Sequence, residues 1–213
     1  MRPIIVPAIL VPTFDQFAEQ AKRLAPFFKL VQIDVMDGEF VDNKSFEDIE
    51  KINELTDLPD LELHLMVKHP LDEIEKWKSV KNIKKIIFHI ESDDDPTAVC
   101  DAIGGICSQT GIALNPETPL SSVLPYLNRI NEVLFLTVHP GHQGAKFLPE
   151  VGDKIKELAA IPNHPLIGVD GGINENNIAE VKSWGAEMFC VGSLLTRAID
   201  IDNKYQELAN LIE

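Results

Sequence analysis

Apolar residues come in short runs along the chain, and each run is followed by a stretch with helical spacing. "IIVPAI" (4–9) predicts a strand. "TFDQFAEQAKRLAPFF" follows, with Phe14, Phe17, Ala21 and Leu24 at helical intervals and Thr13 placed as a cap. The two-part unit then recurs. "KLVQIDVM" precedes "SFEDIEKINEL", "LELHLMV" precedes "LDEIEKWKSV", and "KKIIFHI" precedes "DPTAVCDAIGGICSQT". "GIALN" precedes "PLSSVLPYLNRI", "EVLFLTV" precedes "LPEVGDKIKELAAI", and "PLIGVD" precedes "NENNIAEVKSWG". "MFCVG" precedes "SLLTRAI" and a last helix, "NKYQELANLIE".

Strands alternating with helices imply parallel pairing through right-handed crossovers. Eight such units in 213 residues predict an α/β fold, a single-domain (β/α)8 TIM barrel over residues 1–213. An open doubly wound sheet is the competing architecture. Its nucleotide-binding form needs a G-x-G-x-x-G turn after the first strand, which this chain lacks. "ESDDDP" is read as a solvated loop.

In such a barrel the reactive groups sit at the C-terminal ends of the strands. Side chains alternate along a strand, so Gln32, Asp34 and Met36 share one face while Ile33 and Val35 share the other. Glu62, His64 and Met66 repeat the pattern against Leu63 and Leu65, and Asp170 ends the seventh strand opposite Ile167 and Val169. A lone strand-end His most often closes a hydrogen bond, and a lone Asp most often caps a turn. Asp34, His64 and Asp170 together, at matching depth on three strands, point to one site, with a ligand chemistry that suits zinc, iron or manganese. "HPGHQGAKF", "DGGINENN" and "VGS" follow strands six, seven and eight, where barrels build phosphate cradles from backbone N–H groups. Gly171, Gly172, Gly192 and Ser193 would form this one, for a phosphorylated substrate.

Charge sharpens the picture. With 19 basic and 34 acidic side chains the net charge is −15, which argues against a nucleic-acid backbone as partner. An anionic substrate then needs a local trap. The first twelve residues lack a signal-peptide pattern, and no apolar run is long enough for a membrane span. Cys100, Cys107 and Cys190 form no disulfide framework and are read as buried thiols, with Cys100 and Cys107 on one helix face. A reducing cytoplasm is the expected compartment.

"PAIL", "DVMDGEFVDN", "LELHLMVKHP", "FHIES", "GIALNPETPL", "TVHPGHQGAKF", "VDGGIN" and "VGS" occur in one order and run nearly end to end. This set resembles the ribulose-phosphate 3-epimerase family. The resemblance implies a ribulose-phosphate-binding barrel that interconverts D-ribulose 5-phosphate and D-xylulose 5-phosphate. In it Asp34 removes the C3 proton and Asp170 returns one. Both ligate a divalent metal with His64, and the metal stabilises a cis-enediolate. Met36 and Met66 line the site, the loop from Gly141 through His142 and Gln143 to Gly144 closes over the phosphate end, and family habit implies a homo-oligomer. A related ketose phosphate and a catalytically inactive phosphosugar-binding paralogue are the alternatives. A sugar-phosphate decarboxylase would need a D-x-K-x-x-D strand end, and "LHLMVK" has no lysine inside the strand.

The chain departs from that pattern at several positions. Gln32 stands where the family has a ligating His, and its amide oxygen could ligate in turn. Ala8 stands where the family has a substrate-contacting Ser, and Leu136 replaces a Met. "HPGHQG" replaces N-P-G-F-G-G, bringing in His139, His142 and Gln143, and Asp42 replaces a Pro.

Overall fold

The computed structural model describes residues 3–141 and 144–213. β1 (Ile4–Ile9), β2 (Leu30–Met36), β3 (Asp60–Met66), β4 (Ile83–His89), β5 (Gln109–Leu114), β6 (Glu132–Leu136), β7 (Leu166–Asp170) and β8 (Met188–Val191) pair in parallel and in chain order to close a barrel. Helices α1 (Phe14–Leu24), α2 (Pro70–Trp77), α3 (Pro96–Gly104), α4 (Gly152–Ala159), α5 (Ile178–Ser183), α6 (Ser193–Thr196) and α7 (Ile201–Asn210) lie between and after the strands. Among the described residues, no helix is long and apolar enough to cross a membrane.

The alternation inferred from sequence sorts the core into two shells. Ile33, Val35, Leu63, Leu65, Ile86 and Phe88 point outward and pack with helix residues such as Phe17, Leu24, Ile74 and Trp77. Each such side chain, fully buried, contributes about 1.5–3 kcal/mol. Val6, Ala8, Ile87, Ala113, Leu134, Leu136, Met188 and Cys190 point inward and form a separate cluster within the barrel.

The inward set also holds a buried ion cluster toward the N-terminal end of the strands. Lys85 pairs with Glu62 at 2.7 Å and with Glu132, and all three side chains are almost fully buried. Gly168 makes room for it, because a Cβ there would overlap the Glu132 carboxylate.

Several expected helices differ. Residues 45–55 supply only a 3₁₀ segment, Ile49–Glu54, whose buried Ile49 and Ile52 recur every three residues. Residues 119–130 form two short 3₁₀ segments, Leu120–Ser122 and Leu124–Arg129. Pro125 in the second supplies no backbone N–H to extend the first. α3 ends at Gly104, so Cys107 lies outside it and does not share a helix face with Cys100, and Gln109 and Thr110 already belong to β5. Asp200 caps α7 by accepting from the Asn203 N–H at 3.0 Å, which starts that helix two residues early. All three cysteines are free thiols; Cys100 and Cys190 are buried and Cys107 is half-buried.

Candidate active site

The register of β2 on β3 sets Asp34 beside His64, and that of β6 on β7 sets Leu136 beside Asp170. These pairs sit at the C-terminal mouth, in a cavity of about 500 Å³. That volume suits a small ligand. Thr137 anchors the end of β7: its N–H bonds the Asp170 carbonyl at 2.8 Å, and its hydroxyl donates to the Gly171 carbonyl at 2.5 Å. Gly171 follows at φ +111°, with Val138 only 2.5 Å from where a Cβ would stand, so no other residue fits the turn.

Asp34, His64 and Asp170 converge. His64 Nδ1 lies 3.1 Å from Asp34 Oδ1 and 3.4 Å from Asp170 Oδ2. Burial raises the Asp34 pKa from its ordinary value, and the Asp170 charge adds to it, against the pull of His64. Burial also opposes charge on His64, yet the bonds and charges of Asp170 and Asp34 prevail and push it up to about 10. The next aspartate along the chain has a different task. Asp37 accepts backbone N–H bonds from Lys68, Glu39 and Phe40 at 2.7, 2.8 and 2.9 Å and braces the turn beyond β2.

One ligand atom from each of Asp34, His64 and Asp170 lies within 4.8 Å of the others. Two carboxylates and an imidazole, close together and shielded, are a donor set that fits a divalent cation. Gln32 is turned the other way. Its Nε2 donates to Asp34 Oδ1 at 2.9 Å and to Asp170 Oδ2 at 2.8 Å, while its Oε1 accepts from the Cys190 thiol at 3.0 Å. Reversing the amide would set its oxygen against two carboxylates. As placed, Gln32 meets both acids as a donor, with its oxygen turned away from them toward Cys190.

The other expected residues fall as follows. Ala8, Met66, Leu136, Gly141, Gly144, Gly171, Gly172, Gly192 and Ser193 line the cavity with Asp34, His64 and Asp170. Met36 is buried next to Met66 in register but is not in the lining; its N–H and carbonyl are engaged by the Ser45 hydroxyl as the chain turns away. His139 is exposed and pairs with Glu117 at 3.2 Å. His142 and Gln143 lie outside the described residues.

A model of the ribulose-phosphate 3-epimerase family matches residues 4–196. The chain belongs to the ribulose-phosphate 3-epimerase family. It is thereby an enzyme of an epimerase family. A ribulose-phosphate 3-epimerase of Escherichia coli (strain K12) is 31% identical over 219 residues, covering 98% of this chain and 97% of that protein. One from Mycobacterium tuberculosis is 31% identical over 207 residues, covering 93% and 88%. Among solved structures, 3-keto-L-gulonate-6-phosphate decarboxylase from Vibrio cholerae O1 biovar El Tor superposes with a TM-score of 0.75 at 12% identity, covering 100% of this chain and 98% of that one. At that identity the likeness concerns the fold alone.

Two groups at this epimerase-family site escaped the sequence reading. His89, at the end of β4, places Nε2 2.9 Å from His64 Nε2, and its Nδ1 lies 3.1 Å from Glu91 Oε2. Burial, aided by the neighbouring His64, lowers the His89 pKa to about 4. The available signal was parity: Phe88 faces out, so His89 faces in. Arg197 also lines the cavity, one turn beyond Ser193.

Proposed function

We propose that this chain interconverts D-ribulose 5-phosphate and D-xylulose 5-phosphate by moving one proton at C3. One observation carries the reading. Asp34 and Asp170, from different strands, both lie within 3.5 Å of the same His64 nitrogen and within hydrogen-bond reach of the same Gln32 amide. Two carboxylates so placed can hold a sugar carbon between them.

Asp34 accepts the proton from one face of C3 and Asp170 delivers a proton to the other; reversal runs the epimerisation backward. Asp34, His64 and Asp170 would hold a divalent cation, which when bound supplies Lewis-acid stabilisation of charge on the substrate oxygens. Ala8, Met66, Leu136 and Val138 form the apolar wall that keeps bulk water from the exchanging proton. The turns at Gly171–Gly172 and Gly192–Ser193, with Arg197, are the proposed seat of the phosphate. They supply the local trap that a chain of net charge −15 needs for an anion.

The test is C3 proton exchange from deuterated buffer into ribulose 5-phosphate, with zinc, iron(II) or manganese present. Exchange is expected. Exchange confined to another ketose phosphate would move the reading to that substrate. Exchange with none would leave a phosphosugar-binding paralogue.

A further inference from the structure

A ligating imidazole must offer a lone pair to its ligand and keep its proton on the other nitrogen. In His64 the nitrogen that faces Asp34 and Asp170 is Nδ1. The proton must then sit on Nε2, which lies 2.9 Å from His89 Nε2. Two ring nitrogens at that distance form a hydrogen bond with one proton between them, so His89 Nε2 must accept. His89 then carries its own proton on Nδ1, which lies 3.1 Å from Glu91 Oε2. Glu91 cannot rotate out of the role, because its Oε1 is held at 2.8 Å by the Asn115 backbone N–H. Each proton position is fixed by the next group, and the last in line is an acceptor.

We propose that Glu91 and His89 are positioning residues whose hydrogen-bond polarity turns the Nδ1 lone pair of His64 toward the space between Asp34 and Asp170. The proposal rests on that space being the metal-holding site. Neither residue is in the lining of the cavity; both act through His64. Glu91 and His89 form no part of the three-residue ligand set, yet His89 is fully buried and spends both ring nitrogens on the chain.

The polarity can be reversed by a nearly isosteric change. In Glu91→Gln the amide oxygen stays with the Asn115 N–H and the NH2 group turns toward His89. His89 then protonates on Nε2, and His64 is driven to carry its proton on Nδ1. Zinc affinity, measured by competition with a chelator, is expected to fall about 10–100-fold in Glu91→Gln and in His89→Leu. His89→Gln keeps an acceptor toward His64 and a donor toward Glu91, so it is expected to bind zinc like the parent. Proton positions can be read directly by long-range 1H–15N NMR of the imidazoles in the zinc-loaded protein, where His89 is expected to carry its proton on Nδ1 and His64 on Nε2.

A His89 proton on Nε2, or parental zinc affinity in Glu91→Gln, overturns the relay. Controls separate this from failure of the site itself. If His64→Ala and Asp170→Asn lose zinc while Glu91→Gln does not, the relay alone falls. If those two also bind zinc like the parent, the site reading falls and the relay with it. A metal-free melting curve for each variant distinguishes lost polarity from lost fold, and recovery in His89→Gln but not in His89→Leu is an outcome that packing alone would not produce.

Discussion

The thiol of Cys190 donates to Gln32 Oε1 at 3.0 Å, on the side of the amide away from the two acids. With its oxygen committed, Gln32 can give only N–H bonds to Asp34 and Asp170. It thereby does part of a cation's work, holding the two carboxylates close together. Gln32→Leu removes two charge-assisted bonds and is expected to cost the metal-free protein about 2–3 kcal/mol. Urea unfolding checks this. The loss should shrink when a saturating divalent metal is present. Cys190→Ala, which only frees the amide, should cost less.

Asp34→Asn and Asp170→Asn should each lower turnover by at least about 10²-fold while leaving the fold intact. Circular dichroism and a steady-state assay in both directions test this. A variant with parental activity at either position would remove the two-base scheme.

Lys85 stands between Glu62 and Glu132 inside the barrel, far from water. Burial works against its charge, but the two carboxylates outweigh burial and raise its pKa. Lys85→Met strands two acids in the interior and is expected to cost about 3–5 kcal/mol. Guanidinium unfolding provides the measurement. Combining Lys85→Met with Glu62→Leu and Glu132→Leu should recover most of that loss, because the burden lies in unpaired charge and not in volume.

Two glutamates share one ammonium there, so one acid favours its proton. Burial raises the Glu132 pKa and Glu62 adds to it, so that it reaches about 7 despite Lys85, against 4.5 for the free side chain. The folded pKa is the higher one, so the folded protein holds the extra proton between these values. This contribution to stability is complete below pH 4.5 and is lost as pH rises through about 7. Glu132→Gln should reduce the stability difference between about pH 5 and pH 8 by an amount on the order of 2–3 kcal/mol. Equal pH slopes for variant and parent would refute it.

Much of this molecule is legible locally. Strand parity is a property of neighbouring residues, so "VQIDVM" already assigns Ile33 and Val35 to the helix side and Asp34 to the inside. The same rule found His64 and Asp170, and the alternation of eight strands with helical stretches predicted the barrel. Where local spacing misled, the cause was also local: an every-third-residue pattern at Ile49 and Ile52, and a proline at Pro125. What could not be read were relations set by register and closure. Barrel closure pairs β8 with β1 and β7, which brings Cys190 to Gln32, 158 positions away in the chain, while Asp34 and Asp170 meet the other end of the amide. The β3–β4 register, with an irregularity between Leu61 and Glu62, sets the relative height of the two strands where His89 meets His64. Lys85 finds Glu132 from two strands away, across the interior. A sequence specifies which face a side chain takes, because that depends on the residue's own backbone. The height at which it meets a partner depends on how separate strands are offset, and only the closed barrel decides that.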